Sequence, residues 1–297
     1  MGSVFTLGIA TTSSEQAGVL LDMGIAEIKR IEDLLSEFRP ESETSLINGK
    51  AYHAPVSVSE ECFSILKRSL DISRLTKGDF DITVGPLKKL YRFKNDQFAF
   101  PSSAAVQDAL AKVGHQKVQL SDATQSIRFM AEGMQISFAA IGKGYAADRV
   151  KAFWKAAGVT AGYINASGDL CAFGHKPDGQ PWTIGISHPD RPSETLFYLP
   201  LQDAAVATSG DYEQHFVHEG KRYSHNLDPH TGLPLSGIKS VSVFAPAAEL
   251  ADALATAVYV KGVDKGLHFI NQLPHTHCII IDADNGVHTS TQLNLSV

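Results

Sequence analysis

Hydrophobic positions near the start of the chain fall three and four apart. Leu21, Ile25, Ile28, Ile31, Leu35 and Phe38 make a stripe along one side of a helix predicted to run to about Phe38. Ser13 with Gln16 three residues later forms a capping box at its start, and Pro40 ends it. Before it, Val4 to Ile9 alternates and predicts a strand. Glu41 to Lys50 is polar and reads as a loop carrying Ser42, Ser45 and Asn48. A second helix is expected from Ser57 or Ser59 to Gly78, a C-terminal glycine. Asp79 to Pro86 reads as an extended piece with small polar side chains, Arg92 to Ser102 as loop, and Ala104 to Val113 as a helix ended by Gly114.

The second half changes period. Val118 to Leu120, Ile127 to Met130 and Met134 to Phe138 predict an antiparallel meander. Gly142-Lys143-Gly144 opens a helix to about Ala157, with Val150, Phe153 and Trp154 facing a core. Tyr163 to Ala166 is expected as a strand, turning at Ser167-Gly168-Asp169. Further strands are predicted at Trp182–Ile186, Leu196–Leu199, Ala205–Ala207, Val241–Ala245 and Cys278–Asp282, with helices at Ala248–Val260 and Lys265–Gln272. No repeat, low-complexity tract or linker interrupts the pattern. The expectation is one α+β domain over residues 1–297, of one lobe or two.

Composition narrows the class. Hydrophobic residues make up 43% of 297, enough for a large core. Net charge is -6 with no basic tract, which argues against a nucleic-acid partner. No apolar run is long enough for a transmembrane segment. Met1 to Ala10 shows neither a charged n-region nor a cleavage pattern. That predicts a cytoplasmic chain as it stands, and a periplasmic or cell-envelope one if an export signal was removed. Cys62, Cys171 and Cys278 are scattered and odd in number, so they are expected as buried free thiols.

Candidate chemistry concentrates in Tyr223 to Gly232. Pro229 and Gly232 should fix a rigid turn presenting His225 and Asp228 on one side. Asp252 and Thr256, four apart, share a helix face, and their oxygens suit a hard cation. Other signals are individually weak. Gly142-Lys143-Gly144 offers close backbone approach and helix N–H groups to an anion, or plain turn chemistry. Asp148 is a dipole-favoured carboxylate or a ligand contact. Thr208 to Asp211 binds phosphate or satisfies its own backbone. His215, His218, His225 and His230 crowd one region, yet neither cysteine nor helical His spacing supports zinc. His275 to Cys278 reads as surface plus core.

Taken together and in order, these runs resemble the ApbE family of FAD:protein FMN transferases. The matching stretches are Met1-Gly2-Ser3, Phe80 to Pro86, Ile141 to Asp148, Asn165 to Asp169, Ala207 to Asp211, Tyr223 to Gly232 and Ala251 to Thr256. The resemblance implies an α+β, T-fold-related architecture with antiparallel sheets, flanking helices and an FAD cleft. It implies Mg²⁺-dependent transfer of FMN from FAD to a Thr or Ser hydroxyl of a target protein, through a phosphoester, with release of AMP. The target would belong to a respiratory or electron-transfer complex.

Carried over by position, Asp252, Thr256 and the Ala140 carbonyl would hold the metal. Met1, Phe80, Asp81, Thr83, Lys143, Asp148 and the Asn226 backbone would meet FAD. His225 would take the acceptor's proton, with Asp228 orienting it or supporting the metal shell. Two departures stand out: Ser137 replaces an aspartate that touches FAD in many members, and Ala139, Ala140 and Ser167 replace glycines. The alternatives are an FAD pyrophosphohydrolase on the same site and a flavin-binding protein without turnover.

Overall fold

The computed structural model describes residues 3–11, 13–91, 100–211 and 215–293. Met1, expected at the FAD site, and most of the Arg92–Ser102 loop lie outside the described residues. The chain forms two compact units, one of Met1–Glu32, Ala140–Tyr212 and Ile238–Val297, the other of Asp33–Ala139 and Glu213–Gly237.

The first unit is built on a seven-stranded sheet. Its spatial order is Phe5–Ile9, Gly162–Ala166, Asp169–Phe173, Ala204–Gly210, Ile238–Ala245, His277–Asp282 and Val287–Thr289. Every neighbouring pair is antiparallel. Strand alternation gives the sheet two covered faces. Cys171, Phe173 and Ala205 point to a core shared with Val150 and Trp154 of the Gly142–Ala156 helix. Ala172 and Val206 point the other way, beneath Ile184, Ile186, Leu199 and Leu201 of the Trp182–His188/Arg191–Leu201 hairpin.

The N-terminal helix, Ser14–Leu35, starts where Ser13 accepts from the Gln16 N–H at 3.3 Å. Its buried line is shifted from the expected stripe. Leu20, Gly24, Ile28 and Ile31 face inward, while Ile25 is 41% exposed and Phe38 lies beyond the helix at 88%. The reason is Gly24. A Cβ there would lie 2.9 Å from Leu7 and 3.1 Å from Trp154, so the helix packs closest where it has no side chain. The Trp154 ring N–H donates to the Leu20 carbonyl at 2.8 Å, satisfying the one polar atom of a fully buried indole.

The second unit carries helices Glu43–Lys50, Glu60–Leu75, Gly85–Lys88 and Ser103–Leu110. It also holds a three-stranded antiparallel sheet of Val56–Ser57, Ser126–Phe129 and Val118–Ser121, and a hairpin of His215–His218 with Lys221–Ser224. Three expectations are corrected here. Glu41–Lys50 is not loop. Ser42 caps a helix by accepting from the Ser45 N–H, and Thr44 and Ile47 bury one side of it. Met134–Phe138 is not a third meander strand: Gln135 makes one isolated bridge to Val84, and Asn48 brackets Ile136 with bonds to its N–H and C=O. Asp79–Pro86 is turn followed by a short helix, with Pro86 in its first turn.

Candidate functional site

In the first unit the site grows from the contact of two helices, Gly142–Ala156 and Ala248–Lys261. The second is rich in alanine, and Ala251, Ala253, Ala255 and Ala257 are fully buried. The approach is closest at Gly144, where a Cβ would lie 2.1 Å from the Ala248 carbonyl oxygen. The glycine therefore serves backbone approach, but the approaching group is another helix. Ala247 cannot cap the second helix with its own side chain. Asp148 does so from the neighbouring helix, accepting from the Glu249 N–H at 2.8 Å. Burial pushes the Asp148 carboxyl above its ordinary value, opposed by the Glu249 and Ala248 N–H groups.

This packing fixes Asp252 and Thr256. Asp252 is 5% exposed, and its Oδ2 accepts the Gly144 N–H at 3.2 Å. Thr256 stands one turn on, its Oγ1 3.3 Å from the hydroxyl of Ser209. Lys143, beside Gly144, places Nζ 2.6 Å from Asp169 Oδ2. Ala140 ends the 3₁₀ turn Phe138–Ala140 and is half-buried. Among the described residues no three His, Cys, Asp or Glu side chains converge as ligands. A buried carboxylate with a hydroxyl one turn along its helix is the donor chemistry Mg²⁺ accepts, since that ion takes one or two carboxylates and fills the remaining positions with water and phosphate.

In the second unit the Ser224–Leu235 segment folds back on itself. Ser224 N–H donates to Leu235 O at 2.8 Å, Leu235 N–H to Asn226 O at 3.0 Å, and Asp228 N–H to Leu233 O at 2.9 Å. His225, half-buried, thus lies between two pinned neighbours. The Asn226 amide also donates to Ser224 Oγ from both its N–H and its side chain. Leu227 packs with Leu87, Tyr91, Ala109 and Val113. Gly232, at φ 72°, has no room for a Cβ beside Val106, and the Tyr91 hydroxyl donates to its carbonyl at 2.7 Å.

Asp228 is an acceptor within its own turn. Its two carboxylate oxygens accept from the His230 N–H at 2.8 Å and the Thr231 hydroxyl at 2.9 Å.

Phe80, Asp81 and Thr83 are 2%, 7% and 0% exposed. Asp81 Oδ1 accepts from the Thr83 N–H at 2.9 Å and hydroxyl at 2.6 Å. Its Oδ2 accepts from the His115 N–H, with His115 Nδ1 also 3.0 Å away. Burial acts to raise the Asp81 carboxyl, and the bonds from His115 and Thr83 outweigh it, leaving it below its ordinary value. The Thr83 hydroxyl in turn accepts from the Gly114 N–H at 2.7 Å. These side chains tie their segment to Gly114 and His115.

A sequence model of the ApbE family matches residues 1–280. The chain belongs to the ApbE family. Among curated ApbE relatives, a FAD:protein FMN transferase of Klebsiella pneumoniae is 33% identical over 90% of this chain and 84% of its own length. One of Treponema pallidum is 30% identical, over 89% and 77%. The ApbE protein of Thermotoga maritima superposes with a TM-score of 0.88 at 30% identity, covering 97% of this chain and 96% of its own. The apo flavinyl transferase ApbE of Pseudomonas stutzeri gives 0.84 at 28%, covering 97% and 91%. The mixed α+β architecture with antiparallel sheets is therefore the ApbE fold.

Within this ApbE chain, Ser137 is 4% exposed and donates to Glu37 Oε1 at 3.1 Å. The sequence offered Ser209 only as part of a hydroxyl-lined turn and Asp169 only as the end of a glycine turn, because both meet their partners only in the folded sheet. It also weighed Asp148 as a ligand contact or an exposed carboxylate, not as the cap of a second helix.

Proposed function

We propose that this chain, an enzyme of the FAD:protein FMN transferase class, moves FMN from FAD onto a Thr or Ser hydroxyl of an acceptor protein of an electron-transfer complex. The observation carrying this reading is the buried Asp252, held by the Gly144 N–H, with the Thr256 hydroxyl one turn on and the Ser209 hydroxyl beside Thr256. Asp252, Thr256 and the Ala140 carbonyl are the oxygens that would hold Mg²⁺. Bound there, the ion neutralises pyrophosphate charge and polarises the phosphorus under attack.

The chain's own residues do the rest by positioning. Lys143 presents an ammonium to the nucleotide. Phe80, Asp81, Thr83 and Asn226 supply a braced backbone along the flavin nucleotide, and Asp148 acts through the helix it caps. His225 takes the proton of the acceptor hydroxyl. The acceptor oxygen bonds to the FMN phosphorus, the bond to the AMP phosphate breaks, and AMP leaves. Asp228 holds the turn that fixes His225.

The test incubates the protein with FAD, Mg²⁺ and an acceptor domain, reading covalent flavin fluorescence on a gel and AMP by chromatography. Both products are expected together. Each should fall at least about a hundredfold in Asp252→Ala and His225→Ala. FMN and AMP formed at full rate without any covalent flavin would replace this reading with the hydrolase. No turnover of FAD would end both.

A further inference from the structure

We infer that Asp169 is a positioning residue for the transfer, holding the Lys143 ammonium in place for the FAD pyrophosphate. The inference rests on the proposed role of Lys143 toward the nucleotide. Asp169 opens the Asp169–Phe173 strand and is 1% exposed. It is brought there by a tight turn in which Ser167 and Gly168 take φ of 54° and 103°, and Asn165 Oδ1 accepts the Gly168 N–H. Its Oδ1 accepts the Thr208 N–H at 3.1 Å, and its Oδ2 lies 2.6 Å from Lys143 Nζ.

The exposures of the two side chains differ in a way that matters. The Asp169 side chain is 2% exposed and that of Lys143 is 20%. The carboxylate is inside, and the ammonium stands over it at the edge of solvent. The ion pair leaves one-fifth of the Lys143 side-chain surface open to solvent, the side from which a phosphate oxygen would arrive. A buried ion pair adds little to stability compared with apolar packing, so a purely structural pair has a weak rationale here.

The pair also closes a circuit around the proposed metal residues. Lys143 precedes Gly144, whose N–H holds Asp252. Thr208, held by Asp169, precedes Ser209, whose hydroxyl meets Thr256. Asp252 and Thr256 complete it along their helix. Lys143 therefore does two things at once: it gives the phosphates a cation and it masks a buried anion that would repel them.

Masking makes the test one of sign. In the unaltered background, Asp169→Asn should raise the KM for FAD about tenfold with little change in kcat, within the coupling expected for touching residues. In a Lys143→Met background the same substitution should lower KM, because it removes a bare carboxylate. Additive effects across the cycle, or a wild-type KM in Asp169→Asn, would overturn the inference. A measurement on the unaltered protein covers poor folding of the variant. The Lys143 ¹⁵Nζ resonance should show an ammonium with restricted motion, and free rotation like that of surface lysines would overturn it even without FAD turnover. Absent turnover with a restrained ammonium would count against the transferase reading instead, leaving the pair in place.

Discussion

Asp81 is a buried carboxylate bonded within the fold. Its oxygens are consumed by Thr83 and His115, and those bonds hold its carboxyl below the ordinary range against the opposing pull of burial. A depressed folded value contributes stability that is fully present above the unfolded value of about 3.9 and is lost as pH falls through the folded value. Asp81→Asn should therefore cost about 2 kcal/mol at pH 7, as expected for hydrogen bonds to a charged group. Urea denaturation should show the gap to the unaltered protein narrowing below about pH 4. At this scale the sequence exposes pairs on one helix. Asp252 and Thr256 are legible because four residues make roughly one turn. Ser209 and Asp169 are not, since Ser209 is 47 positions from Thr256 and Asp169 is 39 from Thr208.

Among the elements, the contact of helices Gly142–Ala156 and Ala248–Lys261 decides most. A methyl at 144 would meet backbone at 2.1 Å, which no side-chain rotation can relieve. Gly144→Ala should destabilise by about 1–3 kcal/mol, the usual range for overpacking. It should also shift the helix bearing Asp252, so the melting temperature should fall and the Mg²⁺ concentration for half-maximal activity should rise. An unchanged melting temperature would show that the helices separate freely. The elements themselves were readable wherever apolar residues kept a period. Gly24 hid the true inward line of the first helix, because a glycine scores as no hydrophobe although it marks the tightest packing. The Glu43–Lys50 helix was hidden by its polarity, though Ser42 followed three residues later by Ser45 marks its cap. The His215–Ser224 hairpin escaped because its turn is Glu219-Gly220, at φ 49° and 74°, where asparagine or aspartate is the usual first residue.

For the molecule as a whole, the thiols report on each unit separately. Cys62 lies in one unit, Cys171 and Cys278 in the other, and all three are buried and free. Burial is the main cause that pushes each thiol up, Cys171 and Cys278 to about 12. At pH 8 none should react with a disulfide reagent until its unit opens. Pulsed alkylation in rising urea, read by mass spectrometry, should label Cys171 and Cys278 together. Labelling of Cys171 well before Cys278 would show that their common sheet does not open as one body.

That sheet is also assembled out of order. Phe5 pairs with Ala166, and Ala205 with Ala245. A ribosome therefore releases the first strand long before its partner exists. The Phe5–Ile9 strand must wait, edges open, while the segment from Asp33 to Ala139 is made and belongs elsewhere. Neither unit is a contiguous stretch that can be cut out and expressed alone, and in the sheet-bearing unit Asp252 can meet the Gly144 N–H only after the long chain between them has been made.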